Sequence, residues 1–242
     1  TVIANNLSNV NTVGFKKDRA NFQDLLYQRI VQAGSQADVV AENPTGLMLG
    51  TGTRVVATEK IHRQGNMIST ENSLDLAIAG DGFFGIQQAD GTIAYTRDGS
   101  FKLDNAGALV TSSGETTIPQ INIPQDALSI NIGRDGTVTV ELAQGGGAVQ
   151  VGQLQLSRFV NNAGLVPLGR NLYAESNASG QPIVGIPGAQ GAGMLMQGAL
   201  EASNVNVVEE MVNMIETQRA YEINSKAIAA ADGMLRFLNN NL

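Results

Sequence analysis

Asn206-Val207-Val208-Glu209-Glu210-Met211-Val212-Asn213-Met214-Ile215-Glu216-Thr217-Gln218-Arg219-Ala220-Tyr221 opens the stretch on which the fold turns. Val208, Met211, Ile215, Gln218, Tyr221, Ile228, Leu235 and Leu238 follow spacings of three, four and seven, which places them on one stripe of a helix. Asn206 followed three positions later by Glu209 is a capping-box pattern, in which each side chain satisfies an orphan backbone N–H of the first turn. A helix over 207–239 runs roughly 50 Å at about 1.5 Å per residue. That is too long to bury against one small domain, so the stripe is expected to seek other molecules. Gln218, Ser225 and Asp232 interrupt it, and such a mixed seam favours register over raw stability.

Outward from this helix, the other end of the chain carries a matching pattern. Val2, Ile3 and Leu7 have helical spacing and run into Ser8-Asn9-Val10-Asn11-Thr12-Val13-Gly14, a turn-rich stop where Gly14 supplies a positive φ. The sequence opens inside this pattern with Thr1, so a longer helix is expected upstream. Phe22, Leu25, Leu26, Ile30 and Val31 read as a short second helix or an extended packed segment. From Gln32 to Gly52 the pattern dissolves into Gly34, Ser35, Asn43, Pro44, Gly46, Gly50 and Gly52, a connector of a length usually reserved for function.

Between Val55 and Met196, short β-type runs alternate with turn dipeptides such as Asp90-Gly91, Asp98-Gly99, Asp104-Asn105 and Asp135-Gly136. Ile93–Thr96, Ser100–Leu103, Ala108–Val110, Thr137–Val140 and Gln153–Leu156 are the clearest strands, with Gly145-Gly146-Gly147 as a hairpin tip. A Gly-rich return, Gly185 to Gly198, leads back to the C-terminal helix. The expected architecture is mixed α and β: terminal helices form a coiled-coil-like inner domain around an inserted, mostly antiparallel all-β domain. Its segments are 1–31 (N-terminal assembly), 32–54 (connector), 55–196 (β-rich outer domain) and 197–242 (C-terminal helix). The two ends are expected to meet.

Composition narrows the functions open to such a fold. Aromatics make up 5% and Trp is absent while Gly reaches 28, a mixture that implies many turns and modest cores. Fifteen basic against twenty-two acidic side chains give a net charge of -7, which opposes a nucleic-acid backbone. Absence of Cys removes disulfides, thiolate metal sites and cysteine nucleophiles. No apolar run reaches the roughly 18 residues of a membrane span, and no conventional signal peptide opens the sequence.

Catalytic chemistry finds little purchase. His62 is the only histidine, and its alternating run Thr58 to Gly65 accounts for it as an exposed or edge-strand residue. Asp81, Asp90, Asp98, Asp104 and Asp135 are irregularly spaced and stand where β-turns want Asp, so they are read as turn residues rather than calcium ligands. Gly46-Leu47-Met48-Leu49-Gly50-Thr51-Gly52-Thr53 lacks the Lys-Ser or Lys-Thr of a phosphate loop and is read as a pliant connector. No catalytic, cofactor-binding or metal site is expected.

Ala4-Asn5-Asn6-Leu7-Ser8-Asn9-Val10-Asn11-Thr12-Val13-Gly14-Phe15-Lys16 resembles the N-terminal signature of the bacterial flagellar rod and hook proteins. Ser203-Asn204-Val205-Asn206, Glu209-Glu210-Met211-Val212 and Gln218-Arg219-Ala220-Tyr221-Glu222-Ile223-Asn224-Ser225-Lys226 resemble its C-terminal signature. Gly80-Asp81-Gly82-Phe83-Phe84, Tyr95-Thr96-Arg97-Asp98-Gly99-Ser100-Phe101 and Ile132-Gly133-Arg134-Asp135-Gly136 are similar to the family's distal rod members. The segment after Phe22-Gln23-Asp24-Leu25-Leu26-Tyr27 resembles the insertion that sets the distal rod apart from the hook.

The resemblance implies a non-enzymatic subunit of a hollow helical drive shaft that surrounds the export channel and carries motor torque to the hook. Asn5, Asn6, Leu7, Asn9, Asn11, Thr12, Gly14, Phe15, Lys16, Asn204, Val205, Asn206, Glu209, Met211, Ile215, Gln218, Arg219, Tyr221, Asn224 and Leu235 fall on the assembly motifs, and Gln32, Gly34, Pro44 and Gly46 on a stiffening connector. Implied partners are further copies of the chain, proximal rod proteins, the hook protein, periplasmic and outer-membrane ring proteins, the export apparatus and the rod cap. The implied place is the periplasmic rod, reached without a cleaved signal peptide. A proximal rod or hook-type subunit, or a secreted β-rich binding module, is the competing reading.

Overall fold

The structure is a computed structural model that describes residues 1–32, 36–38, 41–42, 45–143 and 147–240. Gly34, Ser35, Asn43, Pro44, Gly145 and Gly146 lie outside the described residues. The chain separates into two compact units, Ile3–Lys17 with Ile61–Leu242, and Asp18–Lys60. Every strand pair among the described residues is antiparallel.

The larger unit starts with helix α1, Val2–Ser8, and ends with helix α2, Val207–Asn240. Between them lies a nine-stranded sheet. Its path runs Lys102–Leu103, Leu109–Val110, Thr116–Ile118, Phe83–Gln87, Ile93–Thr96, Leu172–Ala174, Val166–Gly169, and Leu156–Arg158 joins Phe83–Gln87 to Ile183–Gly185. A three-stranded sheet of Ala127–Ile132, Thr137–Leu142 and Ala148–Gln153 adds a second layer. Two short ladders, Leu76–Ala79 with Met194–Gln197 and Met67–Ser69 with Ala199–Glu201, bring the chain back towards α2.

Successive strand residues face opposite sides of a sheet, so adjacent Phe83 and Phe84 serve different cores. Phe84 joins Leu76, Ile78, Phe101, Val138, Leu156 and Leu195 in the larger one. Phe83 joins Tyr95, Phe159, Leu165 and Tyr173 in a smaller aromatic one. His62 belongs to this second group, with its ring edge-on to Phe83 at 5.5 Å and to Tyr173 at 5.3 Å between centroids. The expected exposed or edge-strand position is thus corrected: the strand ends at Lys60, and the imidazole packs among aromatic rings. Asp90, Asp98, Asp104 and Asp135 do bond within their own turns. Asp90 accepts from the Thr92 backbone at 3.0 Å and hydroxyl at 2.6 Å, and Asp135 accepts the Thr137 hydroxyl at 2.7 Å. These hydroxyl and backbone donors hold both carboxyls below the usual aspartate value.

The smaller unit is an arm of paired strands: β1 Asp18–Asp24, β2 Tyr27–Val31, β3 Gln36–Asp38, β4 Ala41–Glu42, β5 Leu47–Gly50 and β6 Thr53–Lys60. β1 pairs with β6, β2 with β5 and β3 with β4, the nested pattern of one long hairpin. Asp18 and Lys60 stand opposite in that register and their charges meet at 2.8 Å; Arg19 and Glu59 form the next rung. Of the two readings of Phe22 to Val31, the helix is corrected and the extended one describes the backbone, though the segment is exposed rather than packed; the described parts of 32–52 include paired strands where no pattern was expected. Phe22, Leu26, Tyr27 and Ile30 sit on strands or their link and are exposed, Leu26 at 89%. The apolar spacing that suggested a helix is overridden by pairing with residues about thirty positions away.

Candidate assembly site

Four segments of the larger unit converge where the chain that follows α1 meets the approach to α2. Gly14 occupies φ +69, and a Cβ there would stand 2.7 Å from the Asp98 nitrogen and 2.9 Å from the Arg97 carbonyl carbon. Only glycine admits both the backbone turn and this approach. Its N–H donates to the Glu201 carbonyl at 2.8 Å. Phe15 is then buried, and Lys16 points fully inward, its Nζ 2.5 Å from Glu201 Oε1 and 2.9 Å from the Arg63 carbonyl. From the β body, Arg97 reaches Glu201 Oε2 at 3.2 Å and lies over the Phe83 ring at 5.3 Å. Gly65 donates its N–H to Glu201 Oε1 at 2.8 Å. A Cβ on Gly65 would come within 2.0 Å of the Ala202 carbonyl oxygen.

Two cations therefore share one carboxylate at side-chain exposures of 0% for Lys16 and 1% for both Arg97 and Glu201. Burial pushes the Lys16 ammonium below its ordinary value; the charge and hydrogen bond of Glu201 oppose the shift, and the like charge of Arg97 adds to it. Removing one partner from such a buried pair costs about 3–5 kcal/mol, because an uncompensated charge remains.

A second tier fastens the start of α2. Asn204 accepts the Lys17 N–H at 2.8 Å and donates to the carbonyls of Ile61 and Arg63 at 2.7 and 2.9 Å, and Val205 beside it is buried. Asn206 caps the helix, its side chain accepting the Val208 N–H at 3.1 Å. The Glu209 carboxylate is engaged by Lys17, whose Nζ is 2.7 Å from both Glu209 and Glu210. Asn6 of α1 donates to the other oxygen of Glu210 at 3.2 Å. Partial burial works against the charge on Lys17, but the hydrogen bonds to Glu209 and Glu210 outweigh it and raise its pKa; the Lys17 hydrogen bond lowers that of Glu209.

Of the residues singled out from the sequence, Asn6, Gly14, Phe15, Lys16, Asn204, Val205, Asn206 and Glu209 come together here. Asn5, Asn9 and Thr12 form the adjoining cap of α1: Asn9 donates to the Asn5 side chain at 3.0 Å and Thr12 donates to Asn9 at 3.2 Å. Leu7 is half-buried and Asn11 exposed. Met211, Ile215, Gln218, Arg219, Tyr221, Asn224 and Leu235 lie exposed along α2, away from the junction. Gln32 is exposed and Gly46 half-buried in the arm.

Sequence reasoning missed Arg97, Glu201 and Lys17, and also Asn171, which donates to the Val13 carbonyl at 2.9 Å. Glu201 did leave a trace: it is a lone carboxylate closing the apolar strand Ala199-Leu200-Glu201. The fold and junction define a class of protein with knitted ends, a β-rich body and a long helix whose apolar side chains remain exposed.

Comparison with known proteins makes the class specific. Residues 1–16 match the family described as "Flagella basal body rod protein", 77–140 the "Flagellar hook protein FlgE/F/G D1 domain", and 196–241 the "Flagellar basal body rod FlgEFG protein C-terminal". The chain is 56% identical to a flagellar basal-body rod protein FlgG of Buchnera aphidicola (subsp. Schizaphis graminum) over 238 residues, 98% of this chain and 92% of the relative. It is 52% identical to the FlgG of Borreliella burgdorferi over 98% of this chain and 91% of that one. For the FlgG of Bacillus subtilis the identity is 43%, over 99% and 91%. The chain belongs to the FlgG family of flagellar basal-body rod proteins. No helix among the described residues is long and apolar enough to cross a membrane.

Proposed function

We propose that the chain is a structural subunit of the distal part of the flagellar rod, polymerising into a rigid hollow shaft that carries motor torque to the hook and surrounds the export channel. The observation that carries this reading is the 34-residue α2, which leaves Met211, Ile215, Tyr221, Ile228, Leu235 and Phe237 exposed on a member of a rod family. In water this apolar surface favours burial against other copies, and heterologous contacts whose rotation does not close propagate a helical filament. Residues 1–31 and 197–242 would form the coiled-coil-like inner tube, and 55–196 the outer layer. The work is mechanical and needs no catalytic group.

The segment 32–54, including Gln32, Gly34, Pro44 and Gly46, would stiffen the shaft by docking on neighbouring copies. Support comes from the exposed apolar residues of the hairpin arm, since an isolated two-stranded hairpin is marginally stable in water. Further partners are the proximal rod, hook, ring, rod-cap and export proteins, in the periplasmic part of the basal body. Electron microscopy of the full-length protein tests the reading: tubes with helical order are expected, and persistently dispersed monomers overturn it. Deleting residues 32–54 is expected to give tubes that bend more readily; unchanged bending stiffness would count against the role of the connector.

A further inference from the structure

The strand that leads into α2 lies in a very short ladder, ahead of the Asn204 contacts that fasten the first turn of the helix. Ala199–Glu201 pairs with Met67–Ser69 through three residues, and α2 begins at Val207. So short a ladder specifies its register weakly through its own side chains, and a slip of two residues would move everything downstream by about 6.6 Å along the strand. Glu201 is the last residue of that ladder, and both of its carboxylate oxygens are occupied from elsewhere in the chain. Oε1 takes Lys16 and the Gly65 N–H, and Oε2 takes Arg97. Its main-chain carbonyl takes the Gly14 N–H as well.

Buried ionic clusters are weak stabilisers compared with apolar side chains of the same volume, yet each hydrogen bond is satisfied in one geometry alone. We propose that Glu201 is a register key: its carboxylate, held by Lys16, Arg97 and the Gly65 N–H, fixes the Ala199–Glu201 strand and so the point and direction at which α2 leaves the β body. Glu201 acts as a positioning residue, setting the geometry of the helix rather than touching a partner. The inference concerns a single copy and stands whether or not the protein polymerises.

Spin labels on Leu128→Cys and Tyr221→Cys test it, since both positions are exposed and this chain has no native cysteine. In dilute full-length protein, pulsed electron paramagnetic resonance is expected to give one narrow distance distribution. Glu201→Gln should broaden it and lower the melting temperature by roughly 10 °C, because two buried cations lose their counter-ion. Lys16→Met should keep the distribution narrow, because Arg97 and Gly65 still hold Glu201. The decisive variant is the apolar triple Lys16→Met, Arg97→Met, Glu201→Met: cooperative melting within a few degrees of the parent, together with a broadened distribution, is the expected result. A narrow distribution in the triple variant would overturn the proposal. So would loss of cooperative melting, which would make the cluster a stabiliser rather than a key.

Discussion

The junction and the far part of α2 belong to the same unit and treat their side chains in opposite ways. At the junction Lys16 and Arg97 are buried and both bonded to the buried Glu201, and Asn204 holds the backbones of Lys17, Ile61 and Arg63. From Ile215 to Phe237 every residue of α2 is exposed, apolar ones included. Charge is hidden and hydrophobic surface displayed, the reverse of the usual partition. The difference teaches that intramolecular packing ends at the first turns of α2, which leaves the remaining stripe open for the contacts between copies proposed above.

Interference at the junction should produce the largest effect. Gly65→Ala drives a methyl into the Ala202 carbonyl, where backbone must move, and is expected to cost about 4 kcal/mol or more; denaturant unfolding measures it. Asn204→Ala comes next, at about 2–3 kcal/mol, because it strands the Lys17 N–H and the Ile61 carbonyl and leaves the Arg63 carbonyl to Lys16 alone. On the exposed helix the order of effects inverts. Tyr221→Asp with Leu235→Asp should change monomer stability by less than about 0.5 kcal/mol, as surface substitutions do, while abolishing ordered tubes in electron micrographs.

The smallest effect lies between these two regions, at the ion pairs of Lys17. The lowered pKa of Glu209 makes its contribution complete above the ordinary glutamate value and lost as pH falls through the lowered one. The raised pKa of Lys17 makes its contribution complete below the ordinary lysine value and lost as pH rises through the raised one. The clamp therefore holds across the neutral range and opens in acid. Its exposed arm to Glu209, at 56% side-chain exposure, is worth roughly 0.5 kcal/mol. Thermal melts of Glu209→Gln against the parent should differ slightly at pH 7 and converge in acid, once the pH has fallen through the lowered pKa of Glu209.

What the sequence revealed and what it hid follow the same division. α2 was legible because its stripe and its Asn206 cap are local, and the expected 207–239 became Val207–Asn240. Ile93–Thr96 was legible because the Asp90-Gly91 turn and the β-type residues after it sit next to one another. The arm was not legible: Phe22, Leu25, Leu26 and Ile30 have helix-like spacing, and only the partner strand at Thr53–Lys60 makes β1 a strand. Arg97 and Glu201 are 104 positions apart, and single charges in a sequence read as surface until a fold brings them together. His62 shows the same limit, since the rings around it come from Phe83 and Tyr173.

Amide hydrogen exchange on the full-length protein, as dilute monomer and as polymer, tests the contrast most directly. Strands Met67–Ser69 and Ala199–Glu201 should be protected in both states, whereas the amides of residues 215–237 should exchange quickly in the monomer and become protected in the polymer. Equal exchange of residues 215–237 in the two states would contradict the account, because the exposed stripe of α2 would then have found no partner.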